Sequence, residues 1–370
     1  MTLLSVTVNR ALADVKPYQV SISGQLTFHE KLEYLKLDWN EATIPPSPKV
    51  LRALQEILAT GALNFYPDVT AIELRSKLSA YVGLNTEQIQ VFNGSDECLR
   101  IICETFLNTG DVVLFREPTY TQIEPFITSR GARTLRFVGN SATSPNPERY
   151  LEYLGKNEIG MVYIANPNNP TGVLYEEAFI RQLCTRHPRT LFVIDEAYSE
   201  FAQYTVCQLV REYRNLIVTR TFSKAFCLAG LRLGYVLADP GLLHYLNLLR
   251  NGKDVNLLAQ IAAMAALDDV PYMQSHVNEV IATRDWLCDQ LRASGVEVWN
   301  TRANFLLVRV PDVGRIQEEL KEQKILVRDR SSLPQLADTF RVTIGTRKQM
   351  AQFLSAFSSV LTGARKEKTS

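Results

Sequence analysis

Lys224 lies in the run Thr219-Arg220-Thr221-Phe222-Ser223-Lys224-Ala225-Phe226, and Arg232 follows eight residues later inside Gly230-Leu231-Arg232-Leu233-Gly234. An amine in that company can condense with an aldehyde while the neighbouring hydroxyls and the guanidinium hold a phosphate. Asp195, in Ile194-Asp195-Glu196-Ala197-Tyr198, closes an apolar run. A carboxylate buried there is costly unless something cationic faces it. Asn93-Gly94-Ser95-Asp96-Glu97 opens a helical pattern; its free amides suit a phosphate, although such a start also serves as a plain helix cap. Asn166-Pro167-Asn168-Asn169-Pro170-Thr171-Gly172 is either a fixed loop that presents asparagine amides or simply a rigid turn.

Each of these segments follows a short apolar, β-branched run. The runs are 89–92, 112–115, 134–138, 161–165, 191–194, 216–219 and 233–237, with helical patterns at 96–107 and 176–187 between them. That alternation predicts an α/β fold whose large domain carries a mostly parallel seven-stranded sheet with helices on both faces. Ligands of such sheets sit at the carboxyl ends of the strands, where the polar segments above fall. After Asp239 the texture changes. One long helix is expected over 241–267 and another over 270–293, then strands at 296–299, 305–310, 325–327 and 340–344, with helices over 315–323 and 348–361. This reads as a smaller α+β domain. The expected division is 1–48 as an N-terminal arm packing on the small domain, 49–250 as the large domain and 251–370 as the small one.

With these motifs in order, the chain resembles the fold-type I (aspartate aminotransferase-like) pyridoxal-phosphate aminotransferases, and among them the histidinol-phosphate aminotransferase branch. The markers are NGSDE at 93–97, PTY at 118–120, NPNNPTG at 166–172, DEAY at 195–198, TFSKAF at 221–226 and LVRDR at 326–330, within a resemblance that runs from about Leu37 to Phe357. It implies pyridoxal 5'-phosphate as cofactor, with Lys224 forming the Schiff base and moving protons. Asp195 would pair with the ring nitrogen, Asn169 and Tyr198 would bond the phenolic oxygen, and Tyr120 would stack on the ring. Gly94, Ser95, Asp96, Thr221, Ser223 and Arg232 would hold the phosphate. Tyr66 matches a tyrosine that reaches a neighbour's phosphate, which implies a homodimer with composite active sites. Arg341 and its companion Arg328 match arginines that bind the substrate's anionic end, although either could be a surface arginine with a buried stem. Asn304 matches a position beside the substrate or is a strand-entry turn residue, and Asn40 opens the branch's N-terminal substrate motif.

That motif departs from the branch. Where N-E-N-P-Y-G-P-S-P is usual, this chain has Asn40-Glu41-Ala42-Thr43-Ile44-Pro45-Pro46-Ser47-Pro48, so Ile44 replaces a phosphate-binding tyrosine. Cys227 stands where glycine is common, and Phe92 where a small residue is. Trp39 adds an aromatic wall near the entrance, and a loop within 18–36 that includes Thr27, His29 and Glu30 is a candidate cover. The implied function is amino transfer from an amino acid or related amine to a 2-oxo acid, on a substrate other than histidinol phosphate itself. The alternative is elimination or cyclisation of a hydroxylated arginine-like amino acid, which would use the same lysine, aspartate and tyrosines. A pyridoxal-binding transcription regulator is disfavoured, because no basic recognition helix precedes the cofactor fold.

The bulk numbers agree. Forty lysines and arginines against 39 acidic residues leave a net charge of +1, which gives no global field for nucleic acid or an anionic membrane. Six cysteines and four histidines are scattered without ligand spacing, so no metal site is expected. No apolar run approaches the ~20 residues of a membrane span, and Met1–Val8 has no basic start or cleavage site. A cytoplasmic enzyme with reduced cysteines is the expectation.

Overall fold

The computed structural model describes residues 8–13, 15 and 22–367. A short strand, β1 (Leu35–Lys36), precedes the large sheet. That sheet contains β2 (Ile89–Phe92), β3 (Val112–Glu117), β4 (Arg133–Val138), β5 (Met161–Ala165), β6 (Leu191–Asp195), β7 (Leu216–Thr221) and β8 (Gly234–Ala238). Its order is β2-β8-β7-β6-β5-β3-β4. All neighbours run parallel except β8, which is antiparallel to both β2 and β7. The carboxyl ends of β2, β3, β5, β6 and β7 therefore share one edge.

Apart from the half-exposed edge strand β4, both faces of the sheet are dry, which explains why its inner strands read as unbroken apolar runs. Val162, Ile164, Phe192, Ile194 and Val218 pack into one core cluster, while Met161, Tyr163, Val193 and Ile217 alternate into the other. Phe92 belongs to the second cluster and is fully buried, so it fills core volume rather than shaping a substrate pocket.

The helix expected over 241–267 is two helices, Pro240–Leu249 and Leu257–Leu267. The break has a local cause. Asn251 Oδ1 accepts from the Lys253 amide at 3.0 Å, and the Asn251 carbonyl accepts from the Asp254 amide at 3.1 Å, which closes a turn. Asn256 then caps the second helix by accepting from the Ala259 amide at 2.8 Å.

The remaining strands are β9 (Glu297–Trp299), β10 (Phe305–Arg309), β11 (Ile325–Leu326), β12 (Arg328–Asp329) and β13 (Thr339–Thr343). Four of them form an antiparallel sheet, β12-β13-β10-β9, while β11 pairs parallel with β1. The strand expected over 325–327 is β11, and a second strand not expected from sequence, β12, follows at once and joins the other sheet. Through β1 the segment Asp38–Glu41 is carried from this lobe across the carboxyl edge of the large sheet.

Candidate active site

A cavity of about 470 Å³ opens at that edge and is lined by Lys224, Asp195 and Tyr198 together with Ser95, Asp96, Tyr120, Asn169, Thr221, Ser223 and Arg232. Asn40, Arg328 and Arg341 line it as well. Residues as far apart as 40 and 341 meet there because the strand ends converge and the N-terminal segment crosses them.

Lys224 stands three residues beyond the end of β7, and its Nζ donates to the Trp39 carbonyl at 3.0 Å. Burial, and after it the charge of Arg341, pulls the Lys224 ammonium down to about 8. Asp195 closes β6. Tyr163 donates to its Oδ2 at 2.9 Å, while Thr219 and the Ala197 amide donate to Oδ1, both at 3.2 Å. Burial nevertheless pushes its carboxyl up to about 6, against the lowering effect of the Tyr163 and Thr219 bonds. A carboxylate that stays this strained in a 6 % exposed position is built to receive a cation.

At the other end of the cavity, Gly94 precedes the helix Ser95–Phe106 with a φ of 88°. A Cβ there would lie 2.8 Å from Arg232 Nη2. Arg232 reaches Asp96 Oδ2 at 3.3 Å and Ser223 Oγ at 3.5 Å, and Tyr120 donates to Asp96 Oδ1 at 2.7 Å. Gly234 underlies this cradle; a Cβ on it would stand 2.5 Å from the Ser95 amide nitrogen. The donor set fits a group with an aldehyde, a cationic ring nitrogen and a phosphate. Lys224, Asp195 and the cluster of Ser95, Thr221, Ser223 and Arg232 are the residues of this cavity that would partner those three ends. Gly234→Ala is therefore expected to weaken cofactor retention about tenfold or more by shifting the helix start. Fluorescence titration of the apoenzyme with pyridoxal 5'-phosphate measures this, and unchanged affinity would refute the cradle.

Three of the site residues singled out from sequence do not line the cavity: Gly94, which sits behind Ser95 at the helix start, Asn304 and Tyr66. Asn304 lies behind Asn40, donating to its carbonyl at 3.1 Å. Tyr66 is 76 % exposed with Lys253 4.3 Å from its ring centroid, away from its own chain's cavity. Within the candidate cover, 18–21 fall outside the described residues. Thr27 and Glu30 form a capping box for the helix Phe28–Lys31, and neither they nor His29 line the cavity. Cys227 has φ 61°, the left-handed conformation that makes glycine common at such a position, and it faces an adjoining groove together with Ile44.

Sequence reasoning missed Tyr163, Glu41 and Arg330. Arg330 was within reach, because it stands two residues after Arg328 and so falls on the same side of an extended chain. Tyr163 carried a weaker signal: a phenol inside an all-apolar buried strand needs a partner.

The fold and cavity define a pyridoxal-phosphate enzyme, and comparison agrees. The family model for aminotransferase class I and II matches residues 33–357, and the chain belongs to that family. A dihydroxyacetone phosphate transaminase of Campylobacter jejuni is 36% identical over 348 residues, 93% of this chain and 94% of that protein. A histidinol-phosphate aminotransferase of Geotalea daltonii is 36% identical over 331 residues, 88% of this chain and 92% of the relative. The crystal structure of histidinol-phosphate aminotransferase from Sinorhizobium meliloti, in complex with pyridoxal-5'-phosphate, has a TM-score of 0.86 at 24% identity. It covers 98% of this chain and 99% of its own, and it supports the fold. The cofactor of the present enzyme is pyridoxal 5'-phosphate.

Proposed function

We propose that this enzyme transfers an amino group between an amino acid and a small carbonyl compound that carries a phosphate, with dihydroxyacetone phosphate the first candidate. The observation that carries the reading is a cluster of three guanidiniums, Arg328, Arg330 and Arg341, lining the cavity that holds Lys224. Arg328 and Arg341 are direct Cα partners across β12 and β13. Like charges opposed in a sheet are destabilising, and an anion bound between them offsets the repulsion. Arg341 meanwhile donates to two neutral oxygens, Asn169 Oδ1 at 2.6 Å and the Asp38 carbonyl at 2.5 Å. Cofactor and substrate share the cavity, which favours a compact substrate. Ile44, where the histidinol-phosphate branch has a phenol, removes one phosphate contact of that branch, and the Campylobacter jejuni relative supports a phosphorylated three-carbon partner.

In this reading Lys224 holds the aldehyde carbon, Asp195 the ring nitrogen, and Asn169 and Tyr198 the phenolic oxygen, while Tyr120 covers the ring. Ser95, Thr221, Ser223 and Arg232 hold the phosphate. When bound, the cofactor supplies a sink for the electron pair left as a substrate Cα–H bond breaks. Lys224, with its ammonium brought down to about 8, carries the proton between substrate carbon and cofactor near neutral pH. Pairing with a second copy is part of the proposal. Tyr66 stands among the exposed apolar residues Leu58, Leu63, Phe65 and Ile72, a surface suited to a partner that receives it.

The test uses the loaded enzyme with glutamate alone, following its visible absorption. Loss of the band, and its return on adding dihydroxyacetone phosphate, supports the proposal. Return only with the keto partner of histidinol phosphate places the enzyme in the histidine branch. Spontaneous return with a new product from an arginine-like substrate means elimination or cyclisation. Arg341→Ala is expected to raise the KM of the phosphorylated partner about 10- to 100-fold.

A further inference from the structure

Asn40 stands at the mouth of the cavity, yet its polar atoms face inward to the protein. Its backbone is left-handed, with φ 56°, and the residue is 1 % exposed. Its amide donates to Thr343 Oγ1 at 3.0 Å, and its Oδ1 accepts from the same hydroxyl at 3.2 Å. Its carbonyl accepts from Asn304 Nδ2 at 3.1 Å. The remaining group, Nδ2, donates to the Tyr198 hydroxyl at 2.9 Å. The Tyr198 oxygen also accepts from Asn169 Nδ2 at 3.3 Å.

From this geometry we infer that Asn40 is a positioning residue, which fixes the Tyr198 phenol and makes it a stronger donor toward the cofactor's phenolic oxygen. The inference rests on the assignment of Tyr198 to that oxygen. A phenol oxygen that accepts two amide N–H bonds is polarised, and its own proton is directed at whatever lies on the open side. The anchor is rigid because Thr343 belongs to β13 and Asn304 precedes β10, so the small lobe holds a residue that acts on the large one. Asparagine is suited to the task, since it tolerates the left-handed conformation and carries both donor and acceptor.

A donor to the phenolic oxygen stabilises negative charge there, charge that would otherwise help the adjacent nitrogen keep its proton. Weakening the donor therefore raises the pH at which the loaded enzyme's visible absorption titrates. The variant to use is Asn40→Gly, which removes the side chain and keeps the left-handed backbone free of strain. Its titration midpoint is expected to rise by about 0.5 to 1 pH unit, the size of one neutral hydrogen bond. Tyr198→Phe is expected to raise the midpoint further, and Asn40→Gly added to Tyr198→Phe to change nothing more. A merely structural role would not vanish on removal of that one hydroxyl. An unshifted midpoint in Asn40→Gly, with Tyr198→Phe shifted, overturns the inference alone. So does a full Asn40→Gly shift in the Tyr198→Phe background. An unshifted midpoint in Tyr198→Phe overturns the assignment of Tyr198 and the inference with it.

Discussion

Lys224→Ala is expected to lower turnover by about 10⁴-fold or more while leaving a folded protein that still binds pyridoxal 5'-phosphate without a covalent link. The loss is large because no neighbour can substitute. The other cations lining the cavity, Arg232, Arg328, Arg330 and Arg341, are guanidiniums and offer no amine that could take the lysine's place. Folding should survive for the reason that makes the lysine useful. Burial holds its ammonium at about 8 against a usual 10.5, so its charge is a burden on the folded state below pH 8. Removing it from beside Arg341 relieves that burden, and the apoenzyme should melt no lower than wild type near neutral pH. Lys224→Arg separates amine from charge: it restores the cation and is expected to be as inactive as alanine. The measurement is kcat with a thermal melt of each apo variant. Near-normal turnover in either variant would end the assignment of Lys224.

The convergence of the motif residues on one cavity was legible because they sit in contiguous segments at strand ends. A lysine after β7, an aspartate closing β6 and a glycine before the helix Ser95–Phe106 are local patterns, and the seven apolar runs all became strands. The part of the cavity wall supplied by the small lobe and the N-terminal segment is built from long-range contacts that no local pattern encodes. The Trp39 carbonyl meets Lys224, and Asn40 meets Thr343, because β1 joins β11 and carries the segment over the site. Arg330 could be inferred from its spacing to Arg328, but its place in the cavity wall depends on β12, which leads the chain there. The broken helix at 250–256 is the opposite case, a local turn at Asn251 that the apolar residues on either side concealed. Tyr66 is exposed and does not line its own chain's cavity, so its role rests on the proposed pairing with a second copy.

Asp195→Asn is expected to cut the rate about 10²- to 10³-fold, as loss of a preorganised charge at the ring nitrogen should, and to stabilise the apoenzyme at the same time. The second effect follows from the sign of its titration. Burial raises the folded carboxyl to about 6 from an ordinary 3.8, so between those values the folded state holds more protons than the unfolded one. Stability then falls as pH rises through that window, and above pH 6 the whole cost, about 3 kcal/mol, remains. Asparagine removes the charge and keeps the contacts. Its Oδ1 can accept from Thr219 and the Ala197 amide while its Nδ2 donates to a reoriented Tyr163 hydroxyl. Apo Asp195→Asn should therefore melt above apo wild type at pH 7.5, with the gap closing below about pH 4. Adding pyridoxal 5'-phosphate should reverse the comparison, because only the carboxylate gains a cationic partner when the ring nitrogen arrives. Melting curves of both proteins, apo and loaded, across that pH range carry the decision. If the cofactor stabilised both proteins equally, Asp195 would not face the ring nitrogen, and its raised titration would need another role.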